Sequence, residues 1–198
     1  EAAYVLVQLG HNDQPGKPGR STELANEYPD NLRRYVAEIR AAGAHPVLVT
    51  PLTRRQFEGG RLLDDLAPWA EATRGVAREL DVPLVDLHAR SQALVQGMGP
   101  VLAMRAAQRP AAPEQVVAAQ AGTTIGAPPQ TAPGATVPTA AKPAPAVAQD
   151  NAATEPMGQA KLAFDYTHLG PEGAALFAAI IADGLAQQVP ALRRNLIP

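Results

Sequence analysis

The chain contains no cysteine, which excludes disulfides, thiolate metal sites and a catalytic thiol. Serine is nearly absent too, with Ser21 and Ser91 the only two. Neither charge dominates: the formal net charge is −2, and lysines and arginines are scattered rather than massed on one segment. A nucleic-acid partner is therefore not expected. No apolar run approaches the roughly 18 residues that a membrane span requires. What remains is a chain of 198 residues that is 46% hydrophobic, enough for one domain with a true core.

Three short apolar runs recur along the first hundred residues: Tyr4 to Leu9, Pro46 to Thr50, and Pro83 to Leu87. Each reads as a strand buried on both faces. Helical patterns fill the gaps. In the first, Leu32, Tyr35 or Val36, and Ile39 share a face, with Asp30 as N-cap and Gly43 as the C′ residue. In the second, Leu66, Trp69, Ala70, Val76, Ala77 and Leu80 mark a helix that tolerates Pro68 in its first turn. Alternating strands and helices predict parallel pairing with right-handed crossovers. Residues 1–100 thus form the central part of an α/β domain. From 101 to 160 alanine, proline, threonine, glutamine and glycine take over, and half of the 20 prolines lie between Pro100 and Pro156. That composition predicts a disordered insert, with some helix between Met98 and Gln120 as the exception. Residues 161–198 complete the domain with a helix opened by Pro171 and faced by Leu176, Phe177, Ile180, Ile181 and Leu185.

Two polar motifs flank this frame. Gly10-His11-Asn12-Asp13 follows the first strand, and Asp165-Tyr166-Thr167-His168 enters the last helix. In open α/β sheets ligands bind at the carboxyl edge, where the two motifs can meet. A carboxylate three residues from an imidazole can fix its tautomer and stabilise its charge, and an imidazole titrates near working pH. The amide N–H of an asparagine after a strand can stabilise an oxyanion. The competing readings are a helix-entry hydrogen bond for Asp165 and His168 and a left-handed turn for Asn12. Ser21 lies in a polar Gly/Pro-rich loop and Ser91 reads as a helix-start residue. Neither sits on a strained strand-to-helix elbow. Arg54 and Arg55 read as solvated loop charges, or as contacts to an acidic polysaccharide. Asp86 and His88 read as structural, and His45 lies at the opposite edge.

These motifs resemble the GDSL/SGNH hydrolases. Leu9-Gly10-His11-Asn12-Asp13 is similar to the family's third sequence block and Asp165-x-x-His168 to its fifth. The stretches Gly43-Ala44, Pro46 to Pro51 and Arg54-Arg55-Gln56-Phe57 resemble the rhamnogalacturonan acetylesterase-like branch. The resemblance implies a three-layer α/β/α sandwich with a parallel, flavodoxin-like sheet. It also implies His168 as general base, Asp165 as its orienter, Asn12 as oxyanion donor and His11 as a pocket-lining residue. It implies no cofactor and no metal, an acetylated polysaccharide or small ester as substrate, and a secreted or periplasmic location.

The family's first block, Gly-Asp-Ser, and its second-block glycine have no counterpart here. The chain starts at Glu1 and enters a strand almost at once, which reads as the interior of a longer, N-terminally truncated protein lacking at least one βαβ unit of about 30 residues. The fragment is then expected to be inactive, with an exposed apolar edge at Tyr4 to Leu9. Two other readings compete: a metal-dependent hydrolase using His11, Asp13, Asp165 and His168, and a noncatalytic carbohydrate-binding relative. Nothing in the sequence fixes an oligomeric state.

Overall fold

A computed structural model describes residues 3–17, 19–124 and 164–196. Three parallel strands form the central sheet in the order β1-β2-β5: β1 (Tyr4–Gln8), β2 (His45–Val49) and β5 (Leu84–Val85). Tyr4 pairs with His45 and Gln8 with Val49, and Leu48 and Val49 pair with Leu84 and Val85. A two-residue hairpin, β3 (Phe57–Glu58) and β4 (Arg61–Leu62), lies outside this sheet. Helices α1 (Glu27–Ala41) and α2 (Ala67–Glu79) provide the crossovers.

Side-chain alternation along β2 divides the core in two. Leu48 points to one face, where it packs with Tyr28, Leu32 and Val36 of α1 and Trp69, Val76 and Ala77 of α2. Val47 and Val49 point to the other, against Val95 of α3 (Leu87–Ala103) and Phe177 and Leu185 of α5 (Pro171–Gln188). The result is the expected three-layer α/β/α sandwich. Val47, Leu48 and Val49 are 0–2% exposed, which is why β2 reads as an unbroken apolar run.

The first strand departs from that pattern. Val5 is 38% and Leu6 44% exposed, because β1 pairs with β2 alone among the described strands. This is the exposed apolar edge expected at Tyr4 to Leu9. The first helix also starts earlier than expected. Asn26 is its N-cap residue, and Asp30 sits inside the first turn, where it pairs with Arg33 at 2.6 Å. Val36 rather than Tyr35 is the buried residue. At its other end Gly43 N–H donates to the Arg40 carbonyl and Ala44 N–H to that of Ile39, the paired Schellman bonds of a C′ glycine.

The helix expected between Met98 and Gln120 is present, so the segment read as an insert from residue 101 begins with ordered chain. Helix α3 runs to Ala103 with a break at Gly99-Pro100, a 3-10 turn covers Met104–Ala106, and α4 spans Pro113–Gln120. Alanine, read as low complexity, is here close packing: Ala103, Ala106 and Ala119 are buried. Added at Gly173 of α5, a Cβ would fall 2.4 Å from the Ala106 carbonyl oxygen, so the two backbones meet through small residues. Thr124 closes the segment, its hydroxyl accepting from Phe57 N–H at 2.6 Å. The remainder of the expected insert, 125–160, lies outside the described residues.

Candidate active site

Leaving β2, the chain enters Pro51-Leu52-Thr53-Arg54-Arg55, all buried. This segment runs beneath both polar motifs. On one side Asp165, Tyr166, Thr167 and His168 turn tightly into α5. The Asp165 carboxylate accepts from the backbone N–H of Thr167 (2.7 Å) and of His168 (2.6 Å) through Oδ1, and Oδ2 lies 3.0 Å from His168 Nδ1. Burial pushes this carboxyl up, but the His168 and Thr167 N–H groups and the facing imidazole outweigh it and hold Asp165 below its ordinary value. The carboxylate therefore stays ionised at neutral pH. His168 is 44% exposed, and among the described residues its ring is bonded at Nδ1 only. Nε2 has no partner among them, the arrangement a general base requires.

On the other side Gly10 to Thr22 folds over the carboxyl end of β1. Asp13 holds this turn together: Oδ2 accepts from Gly10 N–H at 2.8 Å and Oδ1 from the Thr22 hydroxyl at 3.1 Å. The Asn12 side chain is exposed and has no hydrogen-bond partner among the described residues. His11 faces inward. Burial, then the Arg54 and Lys17 cations and His168, push its imidazole down to about 4, against a hydrogen bond to the Leu52 backbone that raises it. His11 is thus neutral at pH 7, and the adjacent Arg54 and Arg55 bond the backbones of the two motifs, which brings them together at one edge of the sheet. They do not converge as a metal site. No cluster of three or more His, Asp or Glu able to hold a metal ion occurs among the described residues, and both oxygens of Asp13 serve its own loop.

Arg54 and Arg55 overturn the expectation of solvated charges, being 2% and 1% exposed. Arg55 donates from Nη1 to the Thr167 carbonyl (3.3 Å) and from Nη2 to those of Asp165 (3.2 Å) and His168 (2.9 Å). Its burial pushes the guanidinium down to about 10, with Asp165 acting the other way, and it stays charged. Arg54 donates to Asp65 at 2.5 Å and to the His11 carbonyl at 3.3 Å. A signal for both was present in the sequence: the pair directly continues a buried strand through Pro51, Leu52 and Thr53, with no polar turn between.

The two serines are fully engaged elsewhere. The Ser21 hydroxyl shares its one O–H between the Gln14 and Lys17 carbonyls and accepts from Lys17 N–H. Ser91, 0% exposed inside α3, accepts from Thr53 N–H at 3.2 Å and donates to the His88 carbonyl. Neither bonds the His168 ring. Asp86 caps α3 through Ala89 N–H and binds Arg74 and Thr50, a structural role. His88 Nε2 lies 2.8 Å from Asp64 Oδ1, but outside hydrogen-bond geometry.

A profile of the GDSL-like lipase/acylhydrolase family matches residues 1–106, half of the chain. Among curated proteins, the rhamnogalacturonan acetylesterase RhgT of Bacillus subtilis (strain 168) is 42% identical over 98 residues, 49% of this chain and 41% of that protein. The probable rhamnogalacturonan acetylesterase YesY of the same organism is 39% identical over 97 residues, 48% of this chain and 45% of its own. The chain matches less than half the length of either relative. By the family match the chain belongs to the GDSL-like lipase/acylhydrolase family, and over half its length it is similar to the two rhamnogalacturonan acetylesterases.

Proposed function

We propose that this chain is the base-bearing and oxyanion-bearing part of a secreted or periplasmic carbohydrate acetylesterase acting on acetylated polysaccharide. His168 Nε2 takes the proton of an attacking serine, Asp165 holds Nδ1–H and stabilises the imidazolium, and the Asn12 amide donates to the oxyanion of the tetrahedral intermediate. His11 lines the pocket as a neutral imidazole. The observation that carries this reading is the Asp165–His168 pair, bonded at Nδ1 and open at Nε2. The relatives' names supply the substrate class, and the resemblance supplies the compartment.

The nucleophile comes from a segment outside these 198 residues, because Ser21 and Ser91 are committed to loop and helix bonds. The chain alone therefore shows no burst with an activated acetyl ester. Joined to an N-terminal segment that carries the family's Gly-Asp-Ser block, the folded chimera releases acetate from acetylated rhamnogalacturonan, and His168→Ala abolishes the release. A stoichiometric acyl adduct on Ser21 or Ser91 of the isolated chain, or a chimera indifferent to His168→Ala, overturns the reading.

A further inference from the structure

Arg54 and Arg55 are adjacent, buried and cationic, and they reach in different directions. The Arg55 fork and its own backbone N–H together bind four successive carbonyls, those of Asp165, Tyr166, Thr167 and His168. Those partners are 110 or more residues away in sequence. No other described residue ties this loop so completely to the sheet. Arg54 reaches the other motif twice. Its Nη2 bonds the His11 carbonyl, and its Nη1 bonds Asp65, whose backbone oxygen and carboxylate in turn accept from the Gln14 side chain at 3.0 and 3.3 Å. Lys17 Nζ shares the His11 carbonyl.

We propose that Arg54-Arg55 is a two-armed positioning element, in which Arg55 sets the height and orientation of the Asp165–His168 loop and Arg54 that of the Asn12 loop. The inference rests on the roles given to His168 and Asn12 above. Neither arginine touches substrate: both are sealed beneath the site and act through backbone carbonyls. Their value lies in rigidity. A planar guanidinium with several donors fixes a loop in both distance and direction, whereas an ammonium is a point charge on a flexible stem. Consecutive placement on one buried segment couples the two loops, since a shift of that segment moves both together. The geometry between base and oxyanion donor is thereby referred to a single rigid support.

The test uses the 198-residue chain with nitrogen-15-labelled histidine and backbone, so that no acyl chemistry is needed. In the unaltered chain His168 shows the Nδ1–H tautomer. Arg55→Met shifts it toward the mixture of a free imidazole and leaves the Gly10 and Asn12 amides in place. Arg54→Met shifts those amides and leaves the His168 tautomer intact. His45 and His88 report whether the fold persists. If the Met variants do not fold, Arg55→Lys and Arg54→Lys are read instead, and the same crossed pattern at smaller amplitude is required. Loops that both stay put, or that move equally in each variant, overturn the proposal and leave the arginines as general scaffold. Asp165→Asn separates the two readings: an unchanged His168 tautomer there sinks the orienting pair, whatever the arginine variants do.

Discussion

In the Asp165–His168 loop the side chains assigned to chemistry are themselves the fasteners. Asp165 closes the turn with two backbone N–H groups and the imidazole. In the Gly10–Asp13 loop the labour is divided: Asp13 and the Gly10 backbone hold the turn, while Asn12 stands exposed and unbonded among the described residues. A base must have one nitrogen blocked and the other free, so its orienter cannot be separated from its scaffold. An oxyanion donor needs its N–H groups unspent until charge develops. The contrast implies that substitutions in the first loop damage fold and chemistry together, and that substitutions in the second can separate them.

The strongest way to break that contrast is Asp165→Asn. In a catalytically complete polypeptide it lowers kcat by ~10⁴-fold, since the wrong tautomer is then favoured, and it also loosens the loop, seen as faster amide exchange at Thr167 and His168. A smaller loss, with amide exchange unchanged, would place Asp165 outside the reaction. Asn12→Ala is the counterpart. It should cost about 10²–10³-fold in kcat, with KM and the thermal midpoint essentially those of the parent, because the side chain makes no hydrogen bond among the described residues.

The pH dependence of stability sharpens the comparison from another side. His11, under the Asn12 loop, titrates at about 4 when folded against 6.5 when unfolded. Between those values the unfolded chain binds the extra proton. Stability is complete above pH 6.5 and falls as pH drops toward 4, by about 3 kcal/mol. Asp165 acts lower down. Its folded value lies below 3.8, so its contribution is present above that pH and lost as the pH falls further. Urea titrations at pH 7 and pH 4 check the first window, and His11→Gln should flatten it. A slope that survives this substitution assigns the effect to another group.

The sheet and its crossovers were legible in the sequence because β2 is buried on both faces and α1 and α2 bury one stripe each, so burial writes directly into periodicity. The two polar motifs were legible because their residue types are chemically restricted. The exposed edge expected at Tyr4 to Leu9 is present at Val5 and Leu6. Two features were not legible. The ordered stretch from Val101 to Thr124 packs through alanines, which composition alone cannot distinguish from low complexity. The burial of Arg54 and Arg55 is signalled by their place directly after a buried strand, but their partners, carbonyls and a carboxylate distant in sequence, are a pairing that no local pattern encodes.

Two glycines give the smallest effects, and Gly10 tests whether the Asn12 loop is truly separable. Its φ of +119° lies outside the range other residues adopt readily, and an added Cβ would sit 3.2 Å from Pro51 and 3.3 Å from the Trp69 Cβ. Gly43, at the end of α1, also has a positive φ, +75°, but with open space around it. Gly43→Ala should therefore cost ~1 kcal/mol from backbone strain alone, without touching activity. Gly10→Ala adds a contact with a buried segment that cannot retreat, and should cost about 2 kcal/mol. Its N–H is also the donor to Asp13, so the strain moves the turn that carries Asn12. Chemical denaturation of the two variants, together with kcat in a complete polypeptide, distinguishes the cases. A Gly10→Ala protein that loses stability but keeps full activity would show that Asn12 is positioned independently of the turn beneath it.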